Sequence, residues 1–278
     1  MPDDSRVRRD ARAQHGGAPR DADTDPGRAV EMVRVLEEDP ELGRYLSEGA
    51  LAVARSAAIA PVASFDEGVT SFLIDEQATH AHLGLLVLDG LIARHLSFGQ
   101  IGSSEFLGPG DLLRPWVHRG DTADVAGIRW EVLTQVRLAA LDKDFANRVR
   151  AWPEIAAALL DRAAERSDSQ ALQAALHQAR SVEDRVLLAL WHFAGRWGQI
   201  GPEGRVVTLP NITGELLARF VGARRQSVST ALGTLTDRGA LKRRPDGGII
   251  LPHAPPQLEH IDHGRRATDR QPGLRDRR

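Results

Sequence analysis

The sequence predicts an α+β chain in three parts: an antiparallel β-roll with a jelly-roll-like strand pattern, a long helix, and a small C-terminal domain of two crossing helices and a hairpin. Three observations carry this prediction. Residues 60 to 141 hold brief β-rich runs at even spacing, punctuated by Gly90, Gly99, Gly102, Gly108 and Gly110, which is the pattern of an antiparallel sandwich or barrel. Residues 142 to 180 turn to alanine and leucine at helical spacing. From Thr213 to Arg244, two short helical patterns are parted by a glycine turn and followed by a basic stretch that closes on Pro245-Asp246-Gly247-Gly248.

At 278 residues the chain is long enough for two units with cores of their own. It contains no cysteine, which excludes disulfides, thiolate catalysis, cysteine-ligated zinc and cysteine-held iron–sulfur clusters. It has neither a run of about 18 apolar residues nor a charged-then-apolar leader. The expectation is a cytoplasmic chain with no membrane partner.

Taken in order, residues 1–28 carry six basic and six acidic side chains and almost no large apolar ones. Too little surface can be buried there to offset ordering entropy, so a disordered tail is expected. From Ala29 to Ala58, Val30, Val33 and Leu36, then Leu42, Leu46, Leu51 and Val53 after Asp39-Pro40, predict short helices. Strands are expected at 62–65, 71–74, 83–94, 104–107, 130–133 and 135–140. These two regions make up a 29–141 domain.

Residues 142–180 are expected as one helical segment: Pro153 suits a first turn, and its leucines and alanines form a stripe fit for close pairing with a second copy. Val182 to Trp197 is a further helix, with Val186, Leu187, Leu190 and Phe193 on one side. A short strand at 205–210 leads into the C-terminal unit, placed at 181–252. The remainder, 253–278, has Pro255-Pro256 and six arginines and reads as a second disordered tail.

The C-terminal unit has the spacing of a winged helix-turn-helix. Ala218, Gly222 and Val228 stand in register: a small residue lets the helices cross closely, a glycine allows the positive φ of the turn, and a branched apolar residue fills the gap. Thr213 is placed to cap the first helix, with Glu215 in its first turn. In the second helix Val228, Ala231, Leu232 and Leu235 make the face to be buried. Arg225, Gln226, Ser229 and Thr230 fall on the opposite face.

Those four side chains have the chemistry of a base reader. Arginine suits the guanine O6/N7 pair, glutamine the adenine N6/N7 pair, and hydroxyls suit base edges or phosphates. Thr213, Arg224, Ser227, Lys242, Arg243 and Arg244 are the candidate phosphate contacts. Between Arg205 and Arg244 eight basic residues face two acidic ones, a net of +6 in a chain whose total is −2. Positive charge gathered beside a helix that fits the major groove points to double-stranded DNA as partner.

Roll, long helix and winged helix, in this order, resemble the Crp/Fnr family of bacterial transcription regulators from about residue 60 to 252. The matching segments are Leu107-Gly108-Pro109-Gly110-Asp111, Glu183 through Leu190, and Ile212 through Leu241. The resemblance implies a sequence-specific regulator, a homodimer on an inverted-repeat operator, an effector-type β-roll like the cyclic-nucleotide-binding one, residues 142–180 as dimerisation helix, and RNA polymerase as a further partner. It implies that Arg225 reads a guanine and that Ser227 and Ser229 contact phosphates or base edges. Gln226 stands where glutamate is frequent and Thr230 where many members have a second arginine, so a different operator is implied.

The cyclic-nucleotide cradle of the family is absent. Leu112-Leu113-Arg114-Pro115-Trp116 replaces its Gly-Glu pair, and Glu131 through Val136 replaces its Arg-Ser/Thr-Ala segment. Cyclic AMP is therefore not expected, and the effector stays unassigned.

Other readings are weaker. His80-Ala81-His82 would put two imidazoles on one strand face, as in a metal-dependent cupin-like enzyme, but no carboxylate follows from Leu83 to Leu88. Haem ligation selects none of His80, His82, His95 or His118. An adaptor that keeps the winged helix for protein contact has no need of a basic wing. No enzyme activity, cofactor or metal is expected.

Overall fold

The computed structural model describes residues 31–70, 83–99, 101–114, 127–201, 204–207, 213–245 and 248–252. The expected tails, the strand at 71–74, the His80–His82 pair and His118 lie outside the described residues. A short strand β1 (Met32–Arg34) runs into α1 (Val35–Glu38), a 3-10 turn at Pro40–Gly43 and α2 (Glu48–Ala57). The short helices are as expected; β1 is not. It forms because Met32 to Arg34 pair antiparallel with residues 59 to 61 of the next strand, a partner that periodicity does not reveal.

The roll follows as β2 (Ile59–Phe65), β3 (Gly68–Thr70), β4 (Gly84–Phe98), β5 (Ile101–Leu107), β6 (Leu112–Leu113) and β7 (Gly127–Leu141). Its strand order is β1-β2-β7-β4-β5, with β3 also on β7 and β6 on β4. Every pairing is antiparallel. Leu85, Val87, Ile92, Leu107, Leu113, Val132, Val136 and Leu138 fill the interior.

The two expected runs on either side of Thr134 are one 15-residue strand. Irregularities in the β4–β7 register between Val87 and Ile92 absorb the break in alternation. There the Leu91 N–H, displaced from the ladder, donates to Thr134 Oγ1 at 2.9 Å. Gly90, at φ +88°, sits so close to the Gln135 carbonyl that a Cβ would collide with it.

The expected single helical segment is two helices, α3 (Lys143–Val149) and α4 (Pro153–Leu176). Asp142 caps α3 by accepting from the Phe145 N–H at 2.7 Å, and Phe145 and Val149 pack into a core shared with the N-terminal helices. Pro153, without an N–H to give, begins α4. α4 buries Ile155, Ala158, Leu159, Gln173 and Leu176. Ala156, Ala157, Leu160, Ala163, Ala164, Ser167, Ala171 and Ala174 remain exposed on its other side.

α5 (Val182–Trp197), capped by Ser181 Oγ on the Asp184 N–H at 3.0 Å, has the expected bounds. β8 (Gln199–Gly201), β9 (Gly204–Val207), α6 (Gly214–Val221), α7 (Arg225–Asp237), β10 (Lys242–Arg243) and β11 (Ile249–Leu251) complete the chain. The expected two-stranded wing belongs to a four-stranded antiparallel sheet ordered β10-β11-β9-β8. Among the described residues no helix is long and apolar enough to cross a membrane.

Candidate nucleic-acid interface

α6 has a broad apolar face, with Leu216, Leu217, Ala218, Phe220 and Val221 all buried, and a charged side on which Glu215 and Arg219 are exposed. Such an apolar face must be covered. Its cover comes from α5, α7 and the roll: Phe220 stacks on Phe106 of β5 with ring centroids 5.4 Å apart and meets Phe193 of α5 at 4.7 Å. Burying a side chain of this size contributes about 1.5–3 kcal/mol.

Thr213 Oγ1 accepts from the Leu216 N–H at 3.2 Å and caps the helix, as its position predicts. Gly222 ends the helix in the left-handed region, φ 62° and ψ 44°. Val228, fully buried, packs in the same apolar cluster as Ala218, between the two helices. The three-residue spacing read from the sequence is thus met in space.

α7 buries Val228, Ala231 and Leu235, with Leu232 half-buried. On its other face Arg225, Gln226, Ser229 and Thr230 are all exposed, with Arg224 just ahead of them. Ser227 is half-buried. Arg224 stands at the N-cap without a capping side-chain bond, and the first turn has no acidic residue. The leading N–H groups of α7 and the positive end of its dipole are therefore available to an anion such as a phosphate oxygen.

Thr230 Oγ1 donates to the Gln226 carbonyl at 3.1 Å. Its proton is turned to the helix backbone, which leaves the oxygen lone pairs facing outward.

Lys242 and Arg243 pair with Ile250 and Ile249 across the wing. The Arg244 N–H donates to the Gly248 carbonyl at 2.8 Å and closes the turn. All three basic side chains are exposed. Arg219 is held by Glu215 at 2.9 Å and Arg238 by Glu183 at 3.0 Å. Exposed basic side chains stand at the start of α7 and on the wing. Thr213 borders a cleft against the roll lined by side chains of both signs, Glu67, Glu131 and Glu215 with Arg129 and Arg219.

Several residues of consequence carry no signal in the sequence. Gln173 and His177 donate to the Phe220 carbonyl at 3.1 and 2.9 Å, and Arg185 donates to the carbonyls of Val221 and Gly222 at 3.2 and 3.1 Å. These bonds satisfy the open C-terminal end of α6. Their partners lie tens of residues away in the chain, so no local spacing could reveal them.

Between roll and α4 lies a cavity of about 330 Å³ bordered by Arg94, Arg114, Trp130, Arg166 and Gln170. Arg166 grips Glu105 with two bonds, 2.8 and 3.0 Å, and Gln170 adds a third at 2.9 Å. Burial pushes the Glu105 carboxyl up, but Arg166 and then Arg94 outweigh it and hold the group below the ordinary carboxylate range. Arg94 Nε lies 3.1 Å from Glu105 Oε2 yet off the hydrogen-bond direction, and among the described residues it has no other partner. The cavity keeps more cation than anion.

His95 has both ring nitrogens engaged. Nε2 faces Glu131 Oε2 at 2.9 Å and Nδ1 faces Ser104 Oγ at 2.8 Å, which fits a neutral ring donating from Nε2. Burial lowers its pKa, with the Glu131 bond opposing. Among the described residues no three metal-ligating side chains gather.

The chain thus joins a β-roll through a long helix to a winged helix-turn-helix whose α7 has one face open. Residues 184–261 match the Crp-like helix-turn-helix domain. The chain is similar to a CooA mutant from Carboxydothermus hydrogenoformans: 16% identity, 69% of this chain and 83% of that one, TM-score 0.53. It is similar to FixK2 from Bradyrhizobium japonicum: 16% identity, 70% and 93%, TM-score 0.53. It is also similar to a cyclic nucleotide-binding domain containing protein from Listeria monocytogenes EGD-e: 19% identity, 69% and 88%, TM-score 0.54. Likeness at these identities is one of fold. No curated protein matches the sequence.

Proposed function

We propose that the chain is a sequence-specific transcription regulator that binds double-stranded DNA as a homodimer, each copy laying α7 in the major groove of one half of an inverted repeat. The observation that carries this reading is the division of α7: Val228, Ala231 and Leu235 are buried, while Arg225, Gln226, Ser229 and Thr230 are exposed together on the other side. Two such helices enter grooves roughly 34 Å apart. The exposed stripe of Leu160 and small residues on α4 supports that helix as the contact with the second copy. A small-molecule effector, on this reading, enters the cavity beside Arg94, Arg114 and Arg166, whose cationic lining suits an anion. Such a regulator works on chromosomal DNA, in the cytoplasm.

Footprinting and binding curves with two variants test the assignment. Arg225→Ala is expected to cost about 1–3 kcal/mol and to relax selectivity at one base of each half-site. Arg243→Ala is expected to weaken all sequences alike and to reduce the slope of log K against log salt by about one. Equal, base-independent losses in both would overturn the base-reading role of Arg225. An adaptor that contacts protein alone would show no steep salt dependence on DNA.

A further inference from the structure

Gln173 lies near the C-terminal end of α4 with its side chain buried. Its Nε2 donates to the Ser104 carbonyl of β5 at 2.8 Å and to the Phe220 carbonyl of α6 at 3.1 Å. A primary amide has two hydrogens, so each carbonyl receives one. The three elements that meet at this nitrogen are the roll, the connecting helix and the first helix of the reader.

Beside it the roll and reader also touch through the Phe106–Phe220 stack. The two contacts differ in kind. Apolar burial is non-directional and tolerates sliding, whereas a hydrogen bond weakens steeply off its axis. The stack holds α6 against the roll; the amide sets the angle at which it is held. α7 packs on α6 across the Gly222 turn, so the orientation of α6 aims Arg225.

We propose that Gln173 is a positioning residue that fixes the direction of the reading helix relative to roll and α4, and thereby the half-site spacing that the dimer accepts. This rests on the DNA-binding, dimeric reading above. Because α4 also presents the stripe assigned to the second copy, an angular change at Gln173 is repeated by symmetry in both reading helices. The two heads then shift relative to each other while each head's own surface is unchanged.

The test begins with the full chain and a random-sequence DNA pool, which yields the preferred half-site and spacing. Affinity is then measured for the isolated half-site, for the repeat at its selected spacing, and for repeats one and two base pairs longer or shorter. Gln173→Met keeps the length of the side chain and removes both donors. The Phe220 carbonyl keeps His177 as donor, so the fold is expected to persist. Gln173→Asn, one methylene too short to reach both carbonyls, carries the same test should Gln173→Met fail to fold.

The expected result is a half-site affinity within about twofold of the original chain and a preference for the selected spacing reduced about tenfold. Phe106→Leu, which thins the stack and spares the amide, is expected to lower the melting temperature and keep the spacing preference. An unchanged spacing preference in the Gln173 variants overturns the proposal. So does a half-site affinity that falls in step with the rest, the mark of a merely structural role. Absence of any DNA binding by the unaltered chain at low salt overturns the parent reading, and is seen before any variant is made.

Discussion

His192 shows how a single half-buried ring makes stability depend on pH. It stacks beside Phe220 with ring centroids 6.2 Å apart, and burial, then the nearby Arg196 charge, lowers its pKa to about 4. In the unfolded chain the same imidazole takes up a proton near pH 6.5. The folded state binds fewer protons between those values, so stability is full above about 6.5 and declines as pH falls toward 4. Melting temperatures across that window are expected to drop for the original chain and to flatten in His192→Gln; an equal slope in both would remove His192 as the cause. Glu105, whose depressed carboxyl is held by Arg166, adds a further loss below about pH 4. Neither effect was legible in the sequence, because burial and the guanidinium partners come from distant segments. Thr213 as cap and the exposed position of Arg225 were legible, since both follow from neighbours within one or two helical turns.

Gly222 is where an element depends on one backbone angle. With φ at 62° and a Cβ position 3.4 Å from the His177 ring, Gly222→Ala is expected to cost about 1–2 kcal/mol from the left-handed conformation. Chemical denaturation measures this, and a neutral alanine would show that the turn relaxes freely. The glycine's role was visible because the turn is local. The continuity of β7 was not: Thr134 breaks the alternation, and only the displaced Leu91 N–H that it accepts explains how the strand runs on. The break between α3 and α4 was half visible, since Pro153 marked a helix start while the core that receives Phe145 and Val149 is assembled from elements far apart in sequence.

At the scale of the whole molecule, α4 has one side for its own chain and one side open. Ile155, Leu159 and Leu176 are buried, whereas Leu160 is 70% exposed in line with Ala157, Ala164 and Ala171. In the two-fold dimer proposed above each substitution acts twice, so Leu160→Lys is expected to raise the dimer dissociation constant at least about tenfold. Sedimentation measures this. Affinity for a full inverted repeat should fall with it and half-site affinity should stay. A dimer of unchanged strength would place the contact elsewhere. Phe106, Phe193 and Phe220 join roll and reader in one core, which separate domain boundaries at 141 and 181 did not anticipate.

By itself the sequence determined the order of roll, helix and winged helix, the buried and exposed faces of α7, the cap at Thr213 and the turn at Gly222. Each depends on residues a few positions apart, and periodicity with backbone preference is enough to specify them. Only the tertiary structure decided that Gln173 spans β5 and α6, that Arg166 grips Glu105, and that Arg238 is held by Glu183. These pairings join groups brought together by the packing of separate elements. Their strength comes from burial and direction, which a linear order of residues does not contain.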